Sequence, residues 1–128
     1  MKQLKKTYNS NFLEALTNAV FGIRHIFRTQ INIRIQTIIA IIVIILAFVL
    51  KFSKIEFLFL IFTIAFVLFA EAINTAIEAT VDLYTKEYHP KAKIAKDVAA
   101  GAVIIAVLNS IITGIILFGS KILDIIMK

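Results

Sequence analysis

Three long uncharged stretches constrain what this chain can fold into more than any other feature of its sequence. They cover residues 35–50, 57–70 and 98–120. A helix needs about 20 residues, at about 1.5 Å each, to cross roughly 30 Å of hydrocarbon. The third stretch is long enough by itself, and the first is long enough if Ile33 and a snorkelling Arg34 lie at its boundary. The sequence therefore predicts a protein built from membrane-spanning helices.

The composition supports this prediction and excludes several other classes of protein. The 128 residues are 60% hydrophobic, with a mean hydropathy of +0.93, which is too apolar for a soluble domain of this size. Because there is no cysteine, disulfides and thiolate metal sites are excluded. The net charge of +6 is explained by basic flanks beside anionic lipid headgroups, so no nucleic-acid partner is expected. The N-terminus begins with basic residues but then becomes polar instead of apolar, which argues against a removable signal peptide.

The second stretch is too short to cross the bilayer by itself. A helix that contains it can cross only if it extends past the acidic residue that follows. Its fourteen residues, 57–70, would cover only about 21 Å, so the helix must continue for about six residues more. No proline or glycine interrupts it before Pro90. Glu71 would then lie roughly 9 Å below the headgroup boundary, with Asn74 shallower and Glu78 near the interface.

Four polar side chains share one face of this helix. At 100° per residue, Glu71, Asn74, Glu78 and Asp82 fall within about 80° of one another. Ionisable groups at membrane depth are costly and normally face a protein interior or a wet cavity. The acids could simply pair with lysines and hold helices together. Four polar groups in register, three of them acids, favour a functional site.

The lysines and arginines predict how the chain is oriented. Ten of the fourteen lie before residue 35 or in the connection 84–97, and four lie in the turn 51–56 or the C-terminal tail. The positive-inside rule then places the N-terminus and the second loop in the cytoplasm. Apolar residues at helical spacing before the first span indicate an interfacial amphipathic helix. We predict one membrane domain, residues 1–128, with a surface helix at about 8–28 and spans at about 33–50, 56–83 and 97–120.

The connection before the third span has the residues of a phosphate site. Its sequence, "YTKEYHPKAKIAKDVAAGA", supplies lysines that can neutralise phosphate charge and acids that can hold magnesium. There is no glycine-rich phosphate loop, because the four glycines are scattered. His89 fits an ordinary loop histidine equally well, and Tyr84 and Tyr88 are typical of interfacial anchors.

Two further patterns bear on function and packing. Small residues repeat every four positions in the third span, which predicts close helix packing; they are Ala102, Ala106, Ser110 and Gly114. A small oligomeric channel or proton-coupled transporter could also contain an acidic stripe. Such a protein would need polar groups across the whole bilayer, whereas residues 57–70 offer only Thr63.

Two motifs resemble a known family. "EAINTAIEATVDL", followed by "EYHPKAKIAKDVAAGAV", is similar to the prokaryotic diacylglycerol kinase family, whose Gram-positive branch phosphorylates undecaprenol. The resemblance covers almost the whole chain. It implies an all-α fold with a surface helix and three spans, in a homotrimer with composite active sites at the cytoplasmic face of the bacterial membrane. It also implies ATP as phosphoryl donor, Mg²⁺ as cofactor and a lipid alcohol as acceptor.

The resemblance also implies roles for individual residues. Glu71 would be the general base for the lipid hydroxyl, and Glu78 would bind the metal that bridges the ATP phosphates. Arg34 would contact the lipid. The rest of the nucleotide site would be formed by Gln30, Asn74, Asp82, Glu87, Tyr88, His89, Lys96 and Asp97.

Two positions depart from the family pattern. In "TQINIR", Gln30 stands where well-known members have a second metal-binding glutamate. An amide oxygen can ligate magnesium but has no charge, so the metal site would be weaker or differently completed. At Ala100 some members have a serine, so any lipid-hydroxyl contact there would be absent. The segment "GIRHIFRTQ" looks more like the Gram-positive branch, which favours undecaprenol over the alternative substrate, diacylglycerol.

Overall fold

The computed structural model describes residues 11–127, and over that range it contains four α-helices with short connections. The helices are α1 (Phe12–Thr29), α2 (Ile31–Val49), α3 (Lys54–Tyr84) and α4 (Pro90–Ile126). The predicted start of the surface helix at about residue 8 lies outside the described residues. So do Lys2, Lys5, Lys6 and Lys128, which contributed to the predicted orientation.

The helix lengths confirm the predicted all-α membrane fold. The helices α2, α3 and α4 are each long and apolar enough to cross a bilayer, and α1 precedes them. With 31 residues α3 is about 46 Å long, and with 37 residues α4 is about 55 Å long. Because roughly 30 Å of hydrocarbon is crossed, both helices have turns to spare outside it.

Local sequence signals set the helix boundaries. The Asn11 side chain caps α1 by accepting a hydrogen bond from the Glu14 backbone N–H at 2.9 Å. A single extended residue, Gln30, separates α1 from α2. Pro90 begins α4, where a missing N–H costs nothing because the first turn has no helical acceptor for it.

The turn between α2 and α3 is a Schellman motif followed by a capping box. The backbone N–H groups of Lys51 and Phe52 donate to the carbonyls of Phe48 and Ala47, at 3.1 and 3.0 Å, with Lys51 in the left-handed region at φ 54°. Ser53 and Glu56 then exchange side-chain and backbone hydrogen bonds at the start of α3.

This end of the bundle is closed by aromatic rings and one ion pair. The Phe52 ring lies 4.8 Å from that of Phe118, centroid to centroid. Lys121 Nζ lies 3.0 Å from Glu56 Oε2 and 5.8 Å from the centre of the Phe52 ring. We call Phe52, Ser53, Glu56 and Lys121 the terminal clasp. It joins the α2–α3 turn to the last turns of α4.

The main packing contact is between α3 and α4, which run antiparallel. The buried residues of α3 recur every three or four positions up to Asn74, as expected for one helix face, and the adjacent Thr75 is also buried; they are Leu60, Thr63, Val67, Glu71, Asn74 and Thr75. This face is mostly apolar at its beginning and polar at its end. We call the predicted polar face of Glu71, Asn74, Glu78 and Asp82 the polar stripe. It continues the face of α3 that forms the core.

The prediction that the small residues of α4 pack closely against another helix is only partly correct. Ala106 is fully buried, whereas Ala102 is exposed and Ala99 is buried in its place. A Cβ added at Gly114 would meet no atom within 4 Å, so the helices do not approach closely there. The reason is geometric: a strict four-residue repeat drifts about 40° around a helix at each step, away from the contact line.

Candidate active site

The candidate site lies where α3 ends and α4 begins, at the opposite end of the bundle from the terminal clasp. Its deepest member is Glu71, which is only 3% exposed. Asn74 and Thr75 follow one turn later and are each 9% exposed. Glu78 is half-buried, and Asp82 is exposed. The stripe therefore forms a gradient from an enclosed carboxylate to an open one.

Hydrogen bonds along α3 fix parts of this stripe. Asn74 Nδ2 donates to Glu78 Oε1 at 3.1 Å. Thr75 Oγ1 donates to the main-chain carbonyl of Glu71 at 3.0 Å. Asn74 Oδ1 is buried and has no hydrogen-bond partner within residues 11–127. A buried polar atom without a partner is unusual and calls for an explanation.

Ion pairs connect the open end of the stripe to α4. Lys96 Nζ lies 2.5 Å from Asp82 Oδ1, and Lys93 pairs with Asp97 one turn later on α4. The alternative interpretation, in which the acids only pair with lysines, therefore holds for Asp82 and Asp97. In the described part of the chain it does not extend to Glu71 or Glu78.

The remaining predicted nucleotide residues of the connection are exposed. They are Glu87, Tyr88 and His89, between α3 and α4. The Glu87 backbone N–H donates to Thr85 Oγ1 at 3.1 Å, which shapes the turn. Within residues 11–127, no side-chain hydrogen bond or ion pair joins these three to Glu78 or Asp82.

Gln30 and Arg34 lie at the same end of the bundle but on other elements. Gln30 is the extended residue between α1 and α2, and its backbone N–H donates to the Ile26 carbonyl at 2.8 Å. Arg34 is exposed on the first turn of α2. No side-chain hydrogen bond joins Gln30 to Glu78 in the described chain. Residues 11–127 also contain no group of three His, Asp or Glu side chains able to hold a metal ion.

A cavity of about 360 Å³ lies between α2, α3 and α4, deeper than Glu71, beside residues 60–68 of α3. Its walls are mostly apolar, and its polar members are Gln36, Thr63, Ser110 and Thr113. Gln36 Oε1 is buried and has no hydrogen-bond partner within the described range.

Three residues near the site were not singled out by sequence reasoning. Thr75 and Lys93 lie four residues from Glu71 and Asp97, so the spacing of neighbours on a helix surface could have identified both. Gln36 is an amide in an otherwise apolar stretch, which was also a detectable signal.

The arrangement is suited to proton abstraction beside a phosphate. Glu71 offers an enclosed carboxylate, and Lys96 pairs with Asp82 at the exposed end of the same polar face of α3. Phosphoryl transfer depends mainly on positioning and charge neutralisation, which such a set of groups can supply.

Comparison with known proteins agrees with this chemistry. Residues 17–118 match the family model for prokaryotic diacylglycerol kinase. The undecaprenol kinase of Bacillus subtilis (strain 168) is 38% identical over 112 residues, covering 88% of this chain and 91% of that protein. A diacylglycerol kinase of Synechocystis is 41% identical over 81% of this chain and 60% of its own length. The Escherichia coli (strain K12) diacylglycerol kinase is 32% identical, over 77% of this chain and 81% of its own.

Proposed function

Because the chain belongs to the prokaryotic diacylglycerol kinase family, and is a membrane lipid kinase with ATP as its phosphoryl donor, we propose that its lipid substrate is undecaprenol. The similarity to the Bacillus subtilis undecaprenol kinase supports this, because it extends over nearly the full length of both chains. Diacylglycerol is the second candidate, since the similar Synechocystis protein is a diacylglycerol kinase. Family membership gives no support to the channel or transporter alternative.

The observation that carries the mechanism is the enclosure of Glu71. Its side chain lies on the buried face of α3. The fourteen uncharged residues before it predict the depth of a hydroxyl just below the headgroups. We infer that Glu71 accepts the proton of the lipid hydroxyl while the hydroxyl oxygen attacks the γ-phosphorus of ATP. The bond between that phosphorus and the bridging oxygen breaks, and ADP leaves.

Charged groups at the open end would hold the nucleotide. Lys96 is placed to neutralise phosphate charge, and its pairing with Asp82 would have to be shared or exchanged when phosphate enters. Asp97, with Gln30, Glu87, Tyr88 and His89, completes the proposed nucleotide site. Arg34, on the exposed first turn of α2, is the proposed contact for the lipid near its headgroup end.

The donor atoms near Glu78 fit magnesium, which we propose as the cofactor. Magnesium prefers carboxylate and other oxygen ligands. Glu78 supplies a half-buried carboxylate, and its neighbour Asn74 carries a buried amide oxygen without a partner. Gln30 is the further candidate ligand. When bound, the ion would neutralise charge on the phosphates of ATP.

We further propose that residues 1–128 form one catalytic domain in the cytoplasmic membrane, with the site and the N-terminus in the cytoplasm. The distribution of basic residues supports this orientation. We also propose a homotrimer, the assembly that the family resemblance implies, because one chain leaves the polar end of the α3 face open.

The substrate is tested with purified protein in lipid nanodiscs and ATP labelled at the γ-phosphate. Undecaprenol, shorter polyprenols and diacylglycerol are compared at equal mole fractions. We expect kcat/KM for undecaprenol to exceed that for diacylglycerol at least tenfold. A preference for diacylglycerol would overturn the substrate assignment, and so would the absence of transfer to undecaprenol. Glu71→Gln protein from the same purification controls for contaminating kinases.

A further inference from the structure

The two polar atoms of the Asn74 amide differ in their hydrogen bonding. Its nitrogen donates to Glu78 Oε1 at 3.1 Å, while its oxygen is buried and has no partner in residues 11–127. Only 9% of the residue is exposed, so bulk water does not readily supply the missing partner. Leaving such an oxygen unpaired is unfavourable. A partner from outside the chain would remove the penalty.

The distance between the amide and the carboxylate matches a metal site. Magnesium binds its ligands in an octahedron at 2.0–2.1 Å, so two adjacent ligand atoms lie about 3.0 Å apart. The Asn74 amide nitrogen and Glu78 Oε1 are 3.1 Å apart. A half-turn about the Cβ–Cγ bond exchanges the amide nitrogen and oxygen with little change of shape. After that rotation, two oxygens lie at the separation of adjacent magnesium ligands.

We propose that Asn74 is a direct magnesium ligand beside Glu78, and that its amide rotates when the metal binds. The proposal rests on the proposed magnesium cofactor, which would enter with ATP. Without metal, the amide N–H holds the Glu78 carboxylate in place and avoids two facing acceptor oxygens. With metal, the amide oxygen turns to the cation. The amide nitrogen then takes the buried position that the oxygen leaves.

This role also explains how a metal site with few charges can be completed. Gln30 supplies no charge, and no three-member acidic cluster exists within residues 11–127. A ligand that is already buried and already aligned with Glu78 loses little conformational freedom on binding.

The test measures metal binding instead of turnover. Manganese replaces magnesium as the spectroscopic probe, together with a non-hydrolysable ATP analogue and the full-length protein in nanodiscs. The dissociation constant is obtained from the electron paramagnetic resonance signal of free Mn²⁺. Asn74→Leu removes the oxygen at similar volume, and we expect Mn²⁺ binding to weaken 10- to 100-fold. Asn74→Asp keeps an oxygen and adds charge, so binding should be as tight as in the wild type or tighter. Thr80→Ala, an exposed position on the same helix, is the matched control.

The aspartate variant separates a ligand from a simple hydrogen-bond donor. Aspartate cannot donate to Glu78, so if Asn74 only held that carboxylate, Asn74→Asp would weaken Mn²⁺ binding as much as Asn74→Leu. That result, or wild-type affinity in Asn74→Leu, overturns the proposal. Failure of the wild type to bind Mn²⁺ with nucleotide would instead overturn the proposed function.

A second measurement needs no variant to fold. In wild-type protein with ¹³C-labelled asparagine side chains, the proposal expects one amide carbonyl stretch to shift to lower frequency when Mg²⁺ and nucleotide are added. An unchanged amide band, with metal bound, also overturns it.

Discussion

Glu71 combines two properties that a general base for a lipid alcohol needs, which are depth and enclosure. Its depth follows from the fourteen uncharged residues before it, and its enclosure from its position on the face of α3 that is buried in the bundle. The other acids of the stripe are more open and lie closer to the lysines. This division suits a reaction in which one carboxylate handles a proton while the others face a polyphosphate.

We predict that Glu71→Gln lowers turnover by about 10²–10⁴-fold, the usual contribution of a positioned base. Nucleotide affinity and helix content should change little, because the amide has nearly the same shape. Turnover is measured with labelled ATP, and nucleotide affinity by calorimetry. Asp124→Asn, which changes an exposed carboxylate at the far end of α4, serves as control. Near-normal turnover in Glu71→Gln would exclude Glu71 as the base.

Gln30 gives a second prediction for a single residue. If its amide lies at the metal, Gln30→Glu adds a charged oxygen, which hard cations favour. The magnesium concentration for half-maximal activity should then fall, with the largest gain at limiting metal and little gain at saturation. Gln30→Ala should raise that concentration. A magnesium titration of the three forms at fixed ATP gives the comparison. Three superimposable curves would place Gln30 away from the metal.

At the scale of helices and turns, the α3–α4 hairpin contains the proposed active site at one end and the terminal clasp at the other. The terminal clasp combines a helix cap, an ion pair and a cation above an aromatic ring. Glu56 takes part in both the cap and the ion pair. Because the clasp fixes the start of α3 against the last turns of α4, we expect it to influence the register of the α3 acids against the α4 lysines.

We predict that the clasp contributes measurably to stability. Ser53→Ala removes one half of the capping box and should cost about 1 kcal/mol. Glu56→Ala removes the other half together with the Lys121 ion pair, so its melting temperature should fall further. Melting is followed by circular dichroism in mild detergent, and Asp124→Ala is the matched acid-to-alanine control at the same end. Equal melting of Glu56→Ala and the control would show that the clasp is only a surface contact.

At the scale of the whole molecule, one chain covers little of its own apolar surface. Most large hydrophobic residues of the three spans are exposed, and the buried positions form a narrow line along each helix. Lipid can cover such faces, but it cannot satisfy the open polar end of the stripe. A second copy could supply both apolar contacts and further ligands.

We therefore predict a homotrimer as the active form. Native mass spectrometry and chemical cross-linking in mild detergent should give three chains per particle. Mixing Glu71→Gln with Gln30→Ala chains at limiting magnesium provides a functional check, because these two residues lie on different elements. If a site combines α3 of one chain with the α1–α2 junction of its neighbour, mixed particles should be more active than the average of the two variants. Fully active monomers would contradict the prediction.

Several features follow from the sequence by itself. The uncharged stretches determine the number of spans, because the bilayer thickness sets a minimum helix length. The position of Glu71 after fourteen such residues places an acid at membrane depth, and helical periodicity puts Asn74 and Glu78 on its face. The two motifs around these acids indicate the family, which the comparisons confirm.

Other features depend on contacts between helices that are far apart in the sequence. Periodicity shows which residues share a face but not which face is covered, so the burial of Glu71 and the exposure of Ala102 are decided only by packing. The pairing of Asp82 with Lys96 needs α3 and α4 in one particular register. The missing partner of the Asn74 amide oxygen likewise cannot be read from the sequence. A hydrogen bond forms only when donor and acceptor are placed to within a few tenths of an ångström. Only the tertiary structure fixes atomic positions to that precision.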